Sequence, residues 1–565
     1  MSPTPILTSG IHELLALLPA LILAAWGLLV LTIDFSLLRK ASSNRRQSSL
    51  GAITLFGVLV ALGCSIVPIL HRTAPDTFPG LFTVNSTEPD LSVFFGTIAS
   101  DSLTEWVNFI LLGLLALTVG LSLSYHFTEE WGEYFALILW ATVGMMLLAA
   151  ADELLTLFLT LETMTICLYL ATALEKDRKR SAEGGLKYFV YGSVSSAMFL
   201  FGLSWIYGLT GSTRLDSIHA ALAVPGTVLT GMEGNIAAAA AVLLVLVGFG
   251  FKIAAVPFHQ WAPDAYEGAP APVSAWIATG SKIASFIALI KVLVYALGTW
   301  SSQPGTIAGP GWIGIVAGIS AITMTYGNFA ALAQTNLKRM LAYSSIAHAG
   351  YMLVGVLAAS VSTRSEQAAG TVLFYLVVYS FTNIGAFAVA AWIVRDRGTD
   401  DISDLNGLGR RYPGLAVCIV LLMLSLIGMP PLGGFFAKIA MFSEAMDNEA
   451  SRGRIALTWL VALGLFNSVV SAFYYVRVLK AMFLRDATVG SKPLGEAGPA
   501  ISLPIMIGTL VALGTGLYPA PLQSVMQGAA VHMLTIGNFE TKMTTSGSSG
   551  DMDPIPISAP AISQP

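Results

Sequence analysis

Six ionisable side chains stand inside stretches that are otherwise almost free of charge. They are Glu162 in LFLTLETMTICLYL, Lys187 near the start of the next apolar run, Lys252 in GFGFKIAAVPFHQW, Lys282 in TGSKIASF, His348 in LAYSSIAHAGYM and Lys438 in GMPPLGGFFAKIAMF. An amine taken out of water holds its proton less tightly, and nearby charge then decides whether it takes one up or gives it away near neutral pH. Acids inside a membrane segment default to the same work. The chemistry these types share is proton transfer. Prolines accompany two of the lysines: Pro257 follows Lys252 by five residues, and Pro430-Pro431 with Gly433-Gly434 precedes Lys438. Each proline removes a backbone donor, and freed backbone groups in hydrocarbon are tolerated only where protein or trapped water satisfies them. Both lysines are therefore expected beside helix breaks.

Each residue also has a plainer role open to it. Glu162 lies about ten residues into its run, about 15 Å along a helix, near the membrane midplane. A lysine on a neighbouring span would hold it ionised, and Lys187 is the closest in sequence; the other reading is a protonated carboxyl hydrogen-bonded in a helix interface. Lys187, near a helix start, is also placed to snorkel to the headgroups. Lys252, Lys282 and Lys438 are too deep for that, whereas Lys291, nearer the external end, reads as an interfacial anchor. His348 has Ser344, Ser345 and Tyr351 beside it, so proton transfer and a satisfied core histidine both fit. His259, just past the first break, is a gate or a loop residue capping freed carbonyls.

The elements that must position these groups are membrane helices. The chain has 565 residues, 55% hydrophobic and 11% charged, against roughly 25% charged in a soluble domain. Taking about 20 apolar residues per span, fourteen spans are predicted: 11–38, 50–70, 100–125, 133–150, 152–174, 184–209, 236–258, 272–297, 311–332, 339–360, 370–394, 414–443, 455–482 and 498–518. Loops after odd-numbered spans hold sixteen lysines and arginines and loops after even-numbered spans hold five, which puts both termini outside. Residues 71–99 form an external loop on this reading, 401–411 a short interfacial helix, and 541–565 a disordered tail.

An internal repeat supports two halves. Gly248 to Ala254 and Gly434 to Ala440 share five of seven residues at an offset of 186, and the same offset pairs Gly184 with Gly370, Tyr188 with Phe374 and Glu162 with His348. Five spans separate equivalent positions, so the halves run in opposite directions, each with a broken helix. The expected fold is all-α and polytopic, with two inverted five-helix repeats. Its divisions are 1–132 (three helices and the external loop), 133–300 (first repeat), 301–485 (second repeat), 486–540 (last helix and external end) and the tail.

Composition excludes other classes. A net charge of −4 gives no basic surface for nucleic acid. Cys64, Cys167 and Cys418 each stand alone, without metal-ligand spacing. No nucleotide or flavin motif is present, so no cofactor or metal is expected in this chain.

The strings FKIAAVPFHQWAPDAYEGAPAPV, LKRMLAYSSIAHAGYMLVG and GMPPLGGFFAKIAMF closely resemble the N-type antiporter-like subunit of the proton-pumping NADH:quinone oxidoreductase, respiratory complex I, over spans 4 to 13. The ending Tyr266-Glu267-Gly268-Ala269-Pro270 looks like the N type, and Lys438 stands where the M type usually has glutamate. The resemblance implies a central hydrophilic axis, with Glu162 and its partner Lys187, the central Lys252, the connecting Lys282, His348 and Lys438 as proton-transfer groups. It implies M-type and small K-, J- and A-type membrane subunits as partners, a bacterial plasma membrane as location, and NADH, FMN, iron–sulfur clusters and quinone in other subunits. Two rivals remain on the sequence: a subunit of a sodium/proton antiporter, and a scaffold that only seats its neighbours.

Overall fold

The computed structural model describes residues 14, 16–73, 91–94, 96–223, 232–301, 311–362, 364–447, 457–486 and 494–535. Most of the expected external loop and all of the expected tail lie outside the described residues.

The chain is a bundle of long apolar helices. In order they are α1 (Leu18–Ile33), α2 (Ser43–Thr73), α3 (Ser102–Ser122), α4 (Trp131–Ala150), α5 (Leu154–Thr172), α6 (Lys179–Thr210), the short α7 (Leu215–Ala223), and α8 (Met232–Lys252). There follow α9 (Trp261–Gly268), α10 (Ala271–Ala278), α11 (Gly280–Ile290), α12 (Trp312–Leu332), α13 (Leu337–Val361) and α14 (Ser365–Arg397). The last group is α15 (Leu408–Arg411), α16 (Pro413–Ile427), α17 (Gly433–Asp447), α18 (Thr458–Leu484), α19 (Pro499–Leu517) and α20 (Ala520–Thr535). One small antiparallel hairpin, β1 (Leu91–Val93) with β2 (Ile98–Ser100), precedes α3.

Among the described residues, twelve helices are long and apolar enough to cross a membrane. The seventh and twelfth expected spans hold only shorter apolar helices, Ile236–Lys252 and Pro413–Ile427, because the chain breaks there and resumes as α9 and α17. The helix α20 was not foreseen, and the expected interfacial helix at 401–411 is two short turns instead. The repeat appears in element boundaries: α6 and α14 start at Lys179 and Ser365, the sequence offset apart.

Side-chain caps and left-handed glycines set the ends. Asp101, Glu153 and Asn336 accept from backbone N–H groups of the first turns of α3, α5 and α13 at 2.7, 2.7 and 3.0 Å. Gly211, Gly398 and Gly428 close α6, α14 and α16 with φ of 72°, 70° and 90°, a conformation glycine adopts without steric penalty. Burial sorts the bundle into centre and rim. The most apolar stretches of α13, α14 and the α10–α11 pair are 94% buried, against 33% for α6, so these helices form the centre of the bundle and α6 its rim.

Both breaks satisfy their freed backbone groups internally. At the first, the Trp261 indole donates to the Phe251 carbonyl at 2.9 Å and Val256 N–H donates to the Thr323 hydroxyl at 3.0 Å. Trp261 also stacks on Tyr188 at 4.0 Å, which holds α9 against α6. At the second, Gly434 N–H donates to the Ser425 hydroxyl at 3.2 Å. Each break contains a cis X–Pro peptide, Val256–Pro257 and Pro430–Pro431. A third interruption, at Thr279 between α10 and α11, has no proline.

A Cβ at Gly434 would overlap the Ser425 carbonyl oxygen, whereas one at Gly514 meets nothing within 4 Å. Gly434→Ala is expected to destabilise by about 1–3 kcal/mol, as overpacking does. It should lower the amount of assembled protein on a native gel relative to Gly514→Ala; equal yields would show that the second break packs loosely.

Candidate functional site

Four basic groups lie deep in the bundle: Lys252 is 4% exposed, Lys282 1%, His348 3% and Lys438 5%. Each is held by neutral oxygen. Lys252, the last residue of α8, donates to the Thr165 hydroxyl on α5, and that hydroxyl donates onward to the Leu161 carbonyl at 2.5 Å. Lys282, in the first turn of α11, donates to the Ser345 carbonyl on α13. Lys438 reaches back across the second break to the Ile427 carbonyl at 2.8 Å and the Leu426 carbonyl at 3.3 Å, with the Ser468 hydroxyl also at 3.3 Å. It thereby occupies the negative end of α16.

Aromatic faces complete each amine's surroundings. Lys252 lies 5.8 Å from the rings of Tyr169 and Phe251, Lys282 5.6 Å from Tyr379, and Lys438 4.8 Å from Tyr351. Between Lys282 and Lys438 sits His348. Its Nδ1 is 2.7 Å from the Tyr375 hydroxyl and its Nε2 3.5 Å from the Tyr475 hydroxyl, which is 2.5 Å from that of Ser344. A small cavity opens beside His348, lined by Tyr375, Tyr379, Thr382, Ser425 and Gly434 among others. Hydroxyls and an imidazole around a cavity can accept and donate protons in turn. Among the described residues no hydrogen bond joins Lys252 to Lys282.

Glu162 and Lys187 are not together. The half-buried Glu162 accepts from the Ser196 hydroxyl on α6, while Lys187 pairs with Asp264 at 2.7 Å and Glu183 at 2.6 Å. The physical reason is depth: Lys187 precedes Ser196 by nine residues, about 13.5 Å along the helix. Glu162 is instead one turn before Thr165, whose hydroxyl holds Lys252. Lys291 is also corrected. It is fully buried and bound to Asp152 at 2.9 Å, a buried ion pair and not an anchor at the lipid interface. His259 is 8% exposed, packs edge-on against Tyr326 at 4.6 Å, and its Nδ1 has no partner among the described residues.

Thr165, Ser196, Asp264, Tyr375, Tyr379 and Tyr475 were not singled out from the sequence. Tyr375, Tyr379 and Thr382 had a signal: positions i, i+4 and i+7 put a polar stripe on one face of an apolar helix. Thr165 and Ser196 had none, since such hydroxyls in membrane helices usually bond their own i−4 carbonyl. Among the described residues no group of three or more His, Cys, Asp or Glu side chains could hold a metal.

Paired broken helices around a line of sealed amines define an antiporter-type membrane subunit. Residues 151–471 match the family described as NADH:quinone oxidoreductase/Mrp antiporter, TM. The NADH-quinone oxidoreductase subunit N 2 of Acidobacterium capsulatum is 38% identical over 514 residues, 89% of this chain and 96% of that protein. A chain of respiratory complex I from Thermus thermophilus superposes with a TM-score of 0.70 at 31% identity, over 90% of this chain and 99% of that one. A chain of the Mrp complex from Dietzia sp. shares the fold, with a TM-score of 0.74 at 18% identity, over 93% and 98%. The chain belongs to the NADH-quinone oxidoreductase subunit N family.

The placement of Glu162 is directly testable in a background freed of the three native cysteines. A short bifunctional methanethiosulfonate should crosslink Glu162→Cys with Ser196→Cys and leave Glu162→Cys with Lys187→Cys unlinked. The reverse pattern on a denaturing gel would put Glu162 against Lys187.

Proposed function

We propose that this chain carries protons across the membrane as the N-type subunit of a proton-pumping NADH:quinone oxidoreductase, with Lys252, Lys282, His348 and Lys438 as the carriers and Glu162 as the charge that biases Lys252. The observation that carries this reading is the partner chemistry of the sealed amines. A buried ammonium bound to a carboxylate is locked in its charged form, whereas one bound to hydroxyls and carbonyls can exist in either state. Lys252, Lys282 and Lys438 are of the second kind. Family membership and the match to a complex I chain support the same conclusion.

Cytoplasmic protons reach the amine line at Lys252 and Lys282, pass through His348 to Lys438, and leave outward as quinone chemistry elsewhere in the complex shifts the charges around them. Moving one charge against 100 mV costs about 2.3 kcal/mol, and about two pK units of switching at an amine, at roughly 1.4 kcal/mol each, offset this. On this reading residues 133–300 and 301–485 are the two half-channels, and Pro257, Pro430 and Pro431 mark the breaks that expose carbonyls to the line. His259, with its free nitrogen, gates the first break. NADH, FMN, iron–sulfur clusters and quinone belong to other subunits. M-type and small K-, J- and A-type subunits are its neighbours, the bacterial plasma membrane is its location, and both termini face outward.

The test is proton uptake into everted membrane vesicles driven by NADH, with assembly checked by native gel. Lys252→Ala should cut uptake at least ten-fold in an assembled complex. Normal uptake would overturn the proposal, and sodium-dependent proton exchange without NADH would favour an antiporter instead.

A further inference from the structure

A second set of charges, two buried and two half-buried, lies apart from the amine line, at the end of the bundle expected to face the cytoplasm. Four segments meet there: the turn after α5 with Glu175 and Arg178, the turn between α9 and α10 with Ala269, the first turn of α13 with Lys338, and the loop after α14 with Asp400. Lys338 is 0% exposed and Asp400 is 3% exposed. Arg178 donates to Oδ2 of Asp400 at 3.4 Å and to Oε2 of Glu175 at 3.2 Å. Lys338 stands 3.6 Å from the same Oδ2 and donates to the Ala269 carbonyl at 2.9 Å. The half-buried Tyr125 is a further ionisable neighbour, its hydroxyl accepting from Ala271 N–H at 2.9 Å.

Two acids face two bases, so the set is balanced in charge. One atom is not satisfied: Oδ1 of Asp400 is buried without a partner among the described residues. A buried carboxylate oxygen with no donor is an open acceptor position. Next to it, burial outweighs the charges of Arg178 and Lys338 and lifts the Glu175 carboxyl above the usual glutamate range.

The set is connected to the amine line. Lys338 and Ser345 are seven residues apart on α13, so they share a face about 10.5 Å apart. The Ser345 carbonyl holds Lys282, and its hydroxyl is 3.4 Å from that of Tyr266. Tyr266 is one turn before Ala269, whose carbonyl holds Lys338. Helix α9 and the turn that follows it thus touch both ends of the gap.

We propose that Asp400 is the proton-loading group through which cytoplasmic protons reach Lys282, with Lys338 as the intermediate carrier and the Tyr266 and Ser345 hydroxyls between them. A proton from water binds Oδ1 of Asp400 and neutralises the carboxylate. The Lys338 ammonium, now without its counter-charge in the interior, releases one proton inward to the neutral Lys282 amine. Asp400 then passes its proton to Lys338, and both return to their starting charges. This step rests on the proton-carrying function proposed above.

The experiment uses everted vesicles containing the assembled complex, reading NADH-driven acidification and NADH oxidation together. Asp400→Asn should lower the initial acidification at least five-fold at normal complex abundance, and Asp400→Glu should restore most of it. The double variant Asp400→Asn/Lys338→Met leaves no unpaired charge from this pair and should stay as low; it carries the comparison if Asp400→Asn alone does not assemble. Recovered acidification in the double variant, or unchanged acidification in Asp400→Asn, would overturn the proposal and leave an ion lock between segments. Lys252→Ala separates the two ideas: if it abolishes acidification while Asp400→Asn does not, only the loading group falls. If both pump normally, the function itself falls.

Discussion

An ammonium in a hydrocarbon slab must be given oxygen, and the rest of this structure follows from how that oxygen is supplied. A continuous helix spends its carbonyls on its own i+4 N–H groups, so it has little to offer. The break after α16 releases the carbonyls of Leu426 and Ile427, and Lys438 takes them both. Lys282 takes a carbonyl from the interior of α13, where that oxygen has a second lone pair to give. The prolines and glycines near these lysines therefore shape the electrostatics of the line as much as the backbone path.

The same constraint divides the buried lysines into two kinds. Lys291 and Lys338 have a carboxylate within 2.9 and 3.6 Å, while Lys252, Lys282 and Lys438 have, among the described residues, only hydroxyls, carbonyls and ring faces. Removing one partner of a buried ion pair strands the other, so the first kind bears on how segments are held and on what loads them. For the second kind both protonation states are tolerable, which suits a carrier. Similar burial thus leads to different chemistry, and the nearest oxygen decides which.

Glu162 stands between these cases. It is half-buried on the rim, hydrogen-bonded by Ser196 and one turn from the hydroxyl that holds Lys252. On the proposed function, a carboxylate there biases the amine without neutralising it by contact. Lys187, pinned by Asp264 and Glu183, belongs to a separate ionic surface that also includes Arg339 and Glu267. That surface fixes the lower half of the first broken element against α6 and α13.

Much of the fold was legible in the sequence because hydrocarbon forces it. Runs of apolar residues, the prolines beside Lys252 and Lys438, and the repeat at an offset of 186 are patterns that a membrane turns into helices and breaks. The deep placement of Lys252, Lys282, His348 and Lys438 followed from the same patterns, since depth along a helix is a matter of counting residues. Pairing across helices was not legible. Which side chain meets Glu162, whether Lys291 faces lipid or Asp152, and how Asp400 and Arg178 meet from segments 222 residues apart with Lys338 beside them depend on how each helix is rotated and shifted against its neighbours. Those settings come from packing many side chains at once, and only the tertiary structure decides them.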